Sequence, residues 1–535
     1  MPNCQGMARD SRLQGVKAME KASFSRRHFL SLAGTAGGAV LLVSCAPPAP
    51  TVDQPAEAGG GEEQTAQPDA ERTGVHCELN WYSPTEWTSR SAEQPVVVNA
   101  TRILAQHFEE ANPGIEIVWD PDLGGFEGMT AKVAAAEAPD LVWSGHNFAV
   151  QNGWALPIGE YLDQPNPYAP EYEAWRDIFY PSYMLSLNQP DNLEYCAPID
   201  AIWPNIEIGL AYNKDVLESL GLEPPATWAQ EKEVARALKE AGDRFAPWPL
   251  AKDAGDLWPL ALQILPSMMQ PICGEMDLNG DKFMGIEEAL PAFKSGLIGP
   301  KTPIYRRAWA EMYELGTYWL DGFATTDIDL LWRQGEIGLM YAGSWDFSKI
   351  ANDPNVTFER GFVPVPIPNS SDIPATATEP GAVDPPRTTA GDGTVPGDLI
   401  NAIQGAETVI LRSSVESRDN LAETINWWQF ITTPENNSFM VNENQRRISS
   451  AVDGSLGPIW QEIATFQLPL YEYAIAWWGM GLYWDNDNFM KWRPIFVAWL
   501  TGQIDEETFF ERQHEEFAAG AGRYEEIMKE QAESS

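Results

Sequence analysis

Basic residues are scarce in this 535-residue chain: 35 Lys and Arg stand against 77 Asp and Glu, a formal net charge of −42. Nucleic-acid binding needs cations to neutralise phosphates, so a surface of this sign excludes it and offers no electrostatic pull toward anionic lipid headgroups. Cysteine is nearly absent. Cys4 and Cys45 lie near the N-terminus, and Cys77, Cys196 and Cys273 are too few and scattered for a disulfide framework or a CxxC metal pair. One disulfide among the three would leave an odd thiol, and they are expected to be buried. The five histidines (His28, His76, His107, His146 and His514) form no metal-ligand spacing, and no GxSxG, HExxH, P-loop or GxGxxG occurs. No cofactor or resident metal is therefore expected. Beyond the N-terminal segment no stretch approaches eighteen uninterrupted apolar residues, so no membrane-spanning helix is expected there.

What is present begins with "SRRHFLSLAGTAGGAVLLVSCAPPAP", Ser25 to Pro50. Its uncharged run, Phe29 to Val43, is fifteen residues long, whereas a bilayer-spanning helix needs roughly twenty. A positive segment (Lys17, Lys21, Arg26, Arg27), an apolar segment and small residues follow in the order of an export signal. Arg26-Arg27 before Phe29-Leu30 resembles the bacterial twin-arginine export motif, and Leu42-Val43-Ser44-Cys45 resembles the lipoprotein box, in which the cysteine becomes the lipidated first residue. On this reading residues 1–44 are a twin-arginine lipoprotein signal peptide and Cys45 is lipidated. The segment removed holds six Lys/Arg and two Asp/Glu, a charge of +4, which leaves −46 on the remainder. Membrane attachment would come from the lipid and not from charge. Residues 45–74 lack aromatics and large aliphatics almost entirely, and cannot bury enough apolar surface to offset ordering entropy; they read as a disordered tether.

With about 490 residues after Cys45, two or three domain-sized units are expected rather than one core. Alternation in "VHCELNWYS" predicts a strand over Val75–Ser83. Apolar positions at helical spacing run to Phe108, a breaker stands at Asn112-Pro113-Gly114, and a strand follows at Ile115–Trp119. The cycle repeats with a helix over Met129–Ala138 and a strand over Leu141–Gly145. A strand within "EYCAPIDAIW", an interrupted link, a strand over Ile206–Tyr212 and helices on either side of Pro224-Pro225 come next. Strands are expected at Ile337–Tyr341, within "ERGFVPVPIP" and at Glu407–Leu411, with a long helix over Arg418–Ile431. Residues 369–398 read as an exposed loop, and the tail from Gly457 to Met528 as mostly helical and rich in aromatics. Alternating β and α elements predict an α/β fold with helices on both sheet faces.

The stretches "FEEANPGIEIVW", "AEAPDLVW", "LEYCAPIDAIWPNIEIGLAYNKDVLESLGLEPPATW", "GEIGLMYAGSWDF" and "NLAETINWWQFITTPENN" together resemble the extracellular solute-binding proteins of ATP-driven importers, in the carbohydrate-binding group that includes maltose-binding protein. The resemblance implies a two-lobed periplasmic-binding-protein-like fold with a hinge and an interlobe ligand cleft. Carried over, lobe one is residues 75–203 and 405–455, and lobe two is 204–404 and 456–530. It also implies a small-molecule solute, most simply a carbohydrate, and membrane-embedded ABC permease subunits as partners. Loop 369–398 is longer than the family pattern, and the C-terminal aromatic tail does not align with it.

Sugars present polar edges and apolar faces, so their cleft needs aromatic platforms with carboxylates or amides beside them. Twenty-two tryptophans exceed what the core requires, although tryptophan also fills cores. Loops beyond strand carboxyl ends are the expected site. They single out Glu86 and Trp87 after the first strand, and Ser144, His146 and Asn147 after "LVW". By resemblance, Asp200 occupies the lobe crossing, with Trp203 close by, and Trp345 is the aromatic of the family's glycine-serine-tryptophan, with Asp346 beside it at a helix start. The tail adds Trp478, Trp484 and Asp485. "DLNGDKFMGIEE", Asp277 to Glu288, has calcium-loop spacing in Asp277, Asn279, Asp281 and Glu288, but Lys282 stands where glycine is needed, and a hairpin turn at Asn279-Gly280 accounts for the same residues. Alternatives remain: a secreted glycoside hydrolase with paired carboxylates, a receptor for a peptide or polyol, or an adhesion module.

Overall fold

The computed structural model describes residues 72–78, 100–120, 125–142, 146–181, 184, 193–200, 208–247, 263–388, 408–444, 448–466, 468–475 and 486–534. Between Pro68 and Ser535 these residues form a single compact unit, and within it two four-stranded sheets organise separate cores.

Sheet one begins with β1 (Thr73–Glu78), α1 (Ala100–Ala111), β2 (Ile115–Asp120), α2 (Gly125–Ala134), β3 (Leu141–Val142) and α3 (His146–Gln151). β1 pairs parallel with β2, from Thr73 opposite Ile115 to Glu78 opposite Asp120, and parallel with β3. Strand alternation divides its neighbours between two faces. Val75, Cys77 and Leu141 enter the main core of this lobe, while Val142 enters a smaller core on the other face with Met129 and Ala149. α2 begins and ends about four residues earlier than its apolar pattern suggests. Ala136 takes a left-handed φ of +57°, which an α-helix cannot continue.

The chain continues through β4 (Ile208–Asn213), α4 (Lys214–Leu220), α5 (Trp228–Glu240), β5 (Phe245–Ala246), α6 (Leu265–Met276), β6 (Phe283–Met284), α7 (Ile286–Lys294), α8 (Pro303–Gly316), α9 (Ile328–Arg333), β7 (Leu339–Gly343), α10 (Phe347–Asn352) and β8 (Arg360–Pro364), of which β5, β7, β4 and β8, in that order, make sheet two. β4 pairs antiparallel with both β7 and β8, and β5 lies parallel to β7. β4 and β7 are buried along their whole length, which is why "IGLAYN" and "LMYAG" read as near-continuous apolar runs. Local signals set the helix ends. The Asn213 side chain accepts from the Val216 amide and Gly221 closes α4 at φ +68°, while Thr227 and Gln230 form a capping box on α5. β7 lies two residues later than expected, beginning at Leu339 and running to Gly343.

Besides a one-turn helix at Gly159–Leu162 and a 3-10 turn at Trp175–Ile178, the remaining elements are β9 (Arg387–Thr388), β10 (Val409–Ile410), α11 (Arg412–Arg418), α12 (Leu421–Ile431), α13 (Pro434–Asn444), α14 (Pro458–Ile463), β11 (Leu468–Pro469), β12 (Ala474–Ile475), α15 (Asn486–Leu500) and α16 (Glu506–Ser534). β10 returns to sheet one, antiparallel to β3, so that sheet runs β10-β3-β1-β2. The helix expected over 418–431 is α12, which starts three residues later, and a separate helix, α11, precedes it. Asp419 adopts φ +53°, ending α11, and Asn420 leads into α12. That corner is held by Asp140, which is fully buried: its carboxylate accepts from Arg418 Nη1 at 2.6 Å, Asn420 Nδ2 at 2.7 Å and the His76 amide at 2.8 Å.

Two further expectations are corrected. The described part of "EYCAPIDAIW", up to Asp200, is buried but forms no strand, because Pro198 interrupts it and its carbonyls pair with side chains. The loop from Asn369 is exposed at 374–378, yet Ile373 and Ala382 are buried in the core of sheet two. Arg307 also ties down the Pro374 and Pro380 carbonyls, at 2.8 and 2.9 Å. Residues 389–398 of that loop lie outside the described residues. Among the described residues no helix is long and apolar enough to cross a membrane.

Candidate ligand-binding site

β7 delivers its carboxyl end to Gly343, after which Ser344–Asp346 make one 3-10 turn and α10 begins. Phe347 fixes that turn from below. Fully buried, its ring packs at 4.7 Å from Phe362 and 5.7 Å from Trp460. Gly209 on β4 makes room for it: a Cβ there would lie 2.6 Å from Phe347 Cζ and 3.1 Å from the Val363 carbonyl oxygen. The turn that carries Trp345 and Asp346 is therefore set by the sheet beneath it. Asp346 is 8% exposed; the Trp345 side chain lies outside the described residues.

The second described candidate, Asp200, ends a segment pinned from lobe one. Asn437 on α13 donates through Nδ2 to the Ile199 carbonyl, and Ser450 Oγ donates to the Pro198 carbonyl at 2.9 Å. Asn437 Oδ1 in turn accepts from Ser449 Oγ at 2.6 Å and from the Ser450 amide at 3.0 Å. Asp200 is 2% exposed. Asn437, Ser449 and Ser450 were not singled out from the sequence, although a Ser-Ser pair between apolar Ile448 and Ala451 is a usable sign of local side-chain bonding.

Glu86, Trp87, Ser144, Trp203, Trp478, Trp484, Asp485 and Cys45 lie outside the described residues, as does the side chain of His146, whose backbone opens α3. The tryptophans whose side chains are described are mostly structural. Trp175, Trp228, Trp309, Trp319, Trp332, Trp427, Trp428, Trp460 and Trp499 are buried, and Trp119 and Trp154 are half-buried. The aromatic tail does the same work: Trp499 and Phe509 stack at 4.3 Å, and Phe509 lies 5.0 Å from Trp309 in the core of sheet two.

The calcium-like loop spends its oxygens on itself. Asp277 accepts the Gly280 amide at 2.8 Å, Asn279 that of Asp281 at 2.9 Å, Asp281 that of Phe283 at 2.7 Å and Glu288 that of Gly285 at 3.0 Å. Lys282, at φ +63°, occupies the left-handed position and reaches Glu472. The loop is not a hairpin, since β6 pairs parallel with the distant β12. Among the described residues no group of three His, Cys, Asp or Glu is arranged to hold a metal. Cys77, Cys196 and Cys273 are buried and not joined in disulfides; burial, reinforced by Asp140, pushes the Cys77 thiol well above its ordinary value.

A sequence model of the bacterial extracellular solute-binding protein family matches residues 87–383. The chain belongs to that family. By sequence alone, no curated protein matches it. Solved structures share its α/β, two-lobed periplasmic-binding-protein-like fold. The bacterial solute receptor AcbH, described as exclusive for b-D-galactopyranose, is 14% identical and superposes with a TM-score of 0.56, covering 84% of this chain and 99% of its own. A chitin oligosaccharide binding protein is 15% identical with a TM-score of 0.55, covering 85% and 100%. The apo form of RafE from Streptococcus pneumoniae is 13% identical with a TM-score of 0.53, covering 85% and 100%. At these identities the likeness is one of fold.

Proposed function

We propose that this solute-binding protein captures a sugar or oligosaccharide between its two lobes and delivers it to membrane-embedded ABC importer subunits, itself held at the membrane by a lipid on Cys45 after twin-arginine export. The observation that carries the reading is architectural: a chain of this family folds two sheets with separate cores, and the segments between those cores are bonded to one another. Lobe one is assigned to residues 75–203 and 405–455, and lobe two to 204–404 and 456–530. The cores follow that division for most of the chain, with Val75, Ile199 and Ile410 in one and Ile208, Met340 and Phe496 in the other, while Tyr180 and Ile448, assigned to lobe one, pack in the second core. Ligand bridging both lobes favours the closed state by the contacts it gains there. A sugar as the solute is supported by structural neighbours named for galactopyranose, chitin oligosaccharide and raffinose. Asp200 and Trp345 are the residues assigned to hydroxyl pairing and face stacking, with Glu86, Trp87, Ser144, His146, Trp203, Asp346, Trp478, Trp484 and Asp485 around them.

The test is a thermal-shift panel of galactose, raffinose and chitin oligosaccharides. A ligand at a hundred times its dissociation constant adds about 2.7 kcal/mol of stability. One of these sugars is expected to raise the melting temperature. Asp200→Asn is expected to weaken that sugar's affinity by about tenfold or more, since hydrogen bonds to a charged group contribute about 1.5–3 kcal/mol. Hydrolysis of a labelled oligosaccharide, or no response to any sugar, would overturn the reading.

A further inference from the structure

Among the described residues, three of the places where the chain passes between the two cores lie side by side. Phe179 belongs to the core of sheet one and Tyr180 to that of sheet two; Ile199 belongs to the first and Ile208 to the second; Ile448 belongs to the second and Ala451 to the first. These segments are far apart in sequence but bonded directly. Phe179 and Ala451 form an antiparallel bridge, the Tyr180 amide donates to the Ser450 carbonyl at 3.3 Å, and the Val452 amide donates to the Ile178 carbonyl at 2.8 Å. Segment 197–200 is tied in by side chains: Ser450 Oγ donates to the Pro198 carbonyl, and Asn437 on α13 donates to the Ile199 carbonyl.

Asn437 is the branch point. Its side chain is wholly buried and uses Nδ2 toward one crossing segment and Oδ1, twice, toward another. The site is shaped to admit it. Gly454 turns the chain back onto Ala451, and a Cβ at Gly454 would lie 2.3 Å from Ser449 Cβ and Oγ, displacing the hydroxyl that reaches Asn437. A side-chain amide can donate to a carbonyl through its nitrogen while its oxygen accepts from a hydroxyl and a backbone N–H.

We propose that Asn437 is the positioning residue of the hinge, locking the three crossing segments into one unit and so fixing where Asp200 stands relative to both lobes. The proposal rests on the reading that the lobes close around a ligand, and it concerns what sets the geometry of that closure.

Hydrogen–deuterium exchange of the unliganded protein tests it, with the Tyr180 amide as reporter and the amides of β1 and β4 as controls. Tyr180 makes none of the Asn437 bonds described and lies in a different segment. In Asn437→Ala its exchange is expected to rise at least tenfold while β1 and β4 keep their wild-type protection: the crossing loosens and the lobes stay folded. Ser450→Ala, which removes the Pro198 link alone, is expected to raise Tyr180 exchange less, and it carries the test if Asn437→Ala does not fold. Faster exchange confined to residues 448–452, or β1 and β4 losing protection in step with Tyr180, would overturn the proposal, since either marks a merely structural side chain. No ligand enters the measurement, so a sugar panel that fails on the wild type counts against the function alone.

Discussion

Glu231 shows how much a single buried side chain decides. It sits in the first turn of α5, fully buried, and its carboxylate accepts from the Tyr341 hydroxyl and from Gln263 Nε2. The neighbouring cation, Lys232, is turned away to Glu311 and Glu314 at 2.9 and 2.8 Å. Burial pushes the Glu231 carboxyl from 4.5 up to about 7, and the two hydrogen bonds oppose the rise only in part. The folded protein therefore holds a proton that the unfolded chain has already released between those values. Stability from this group is present in full below about 4.5 and is lost as pH rises through about 7, a change of about 3 kcal/mol. Glu231→Gln keeps an acceptor for Tyr341 and removes the charge. Urea unfolding at pH 8 is expected to find the variant more stable than wild type by up to that amount, with the advantage gone at pH 4.5. Parallel stability-against-pH curves for the two proteins would show that the carboxyl does not titrate in this range.

At the scale of elements, packing between β4 and the helix that follows β7 is what holds the turn bearing Trp345. Gly209→Ala would drive a methyl to 2.6 Å from the Phe347 ring, and overpacking of this kind costs about 1–3 kcal/mol. A lower urea midpoint is expected; a wild-type midpoint would mean that the ring yields freely and does not set the turn. The sequence made the elements around this turn legible, because β4 and β7 are apolar runs and α4 and α5 carry their own caps. It was less informative wherever one residue's backbone decides, as at Asp419, which ends α11 and moves the start of the next helix three residues past its expected position. Least visible was the crossing. Asn437 is 238 positions from Ile199 and Ser450 is 252 from Pro198, and no local pattern announces a partner at that distance. Abundant tryptophan suggested sugar platforms, but nine of those described fill the cores, since a large ring serves a core as well as it serves a sugar.

Across the whole molecule, charge sets a condition that no single contact does. With 77 acidic against 35 basic residues, more than half of the carboxylates lack a basic partner even if every Lys and Arg is paired. Exposed ion pairs such as Lys132–Glu137 at 3.1 Å or Lys294–Glu525 at 2.6 Å contribute about 0–1 kcal/mol each and weaken in salt. Repulsion among the surplus acids acts over longer distances. At 0.01 M salt the screening length is about 30 Å, enough to reach across a lobe, and at 0.15 M it falls to about 8 Å. Screening therefore removes more repulsion than attraction. The melting temperature is expected to rise between 0.01 and 0.3 M sodium chloride, and equally in potassium chloride, because the effect is ionic strength and not ion binding. A fall in melting temperature over that range would mean that the paired charges, few as they are, outweigh the unpaired ones.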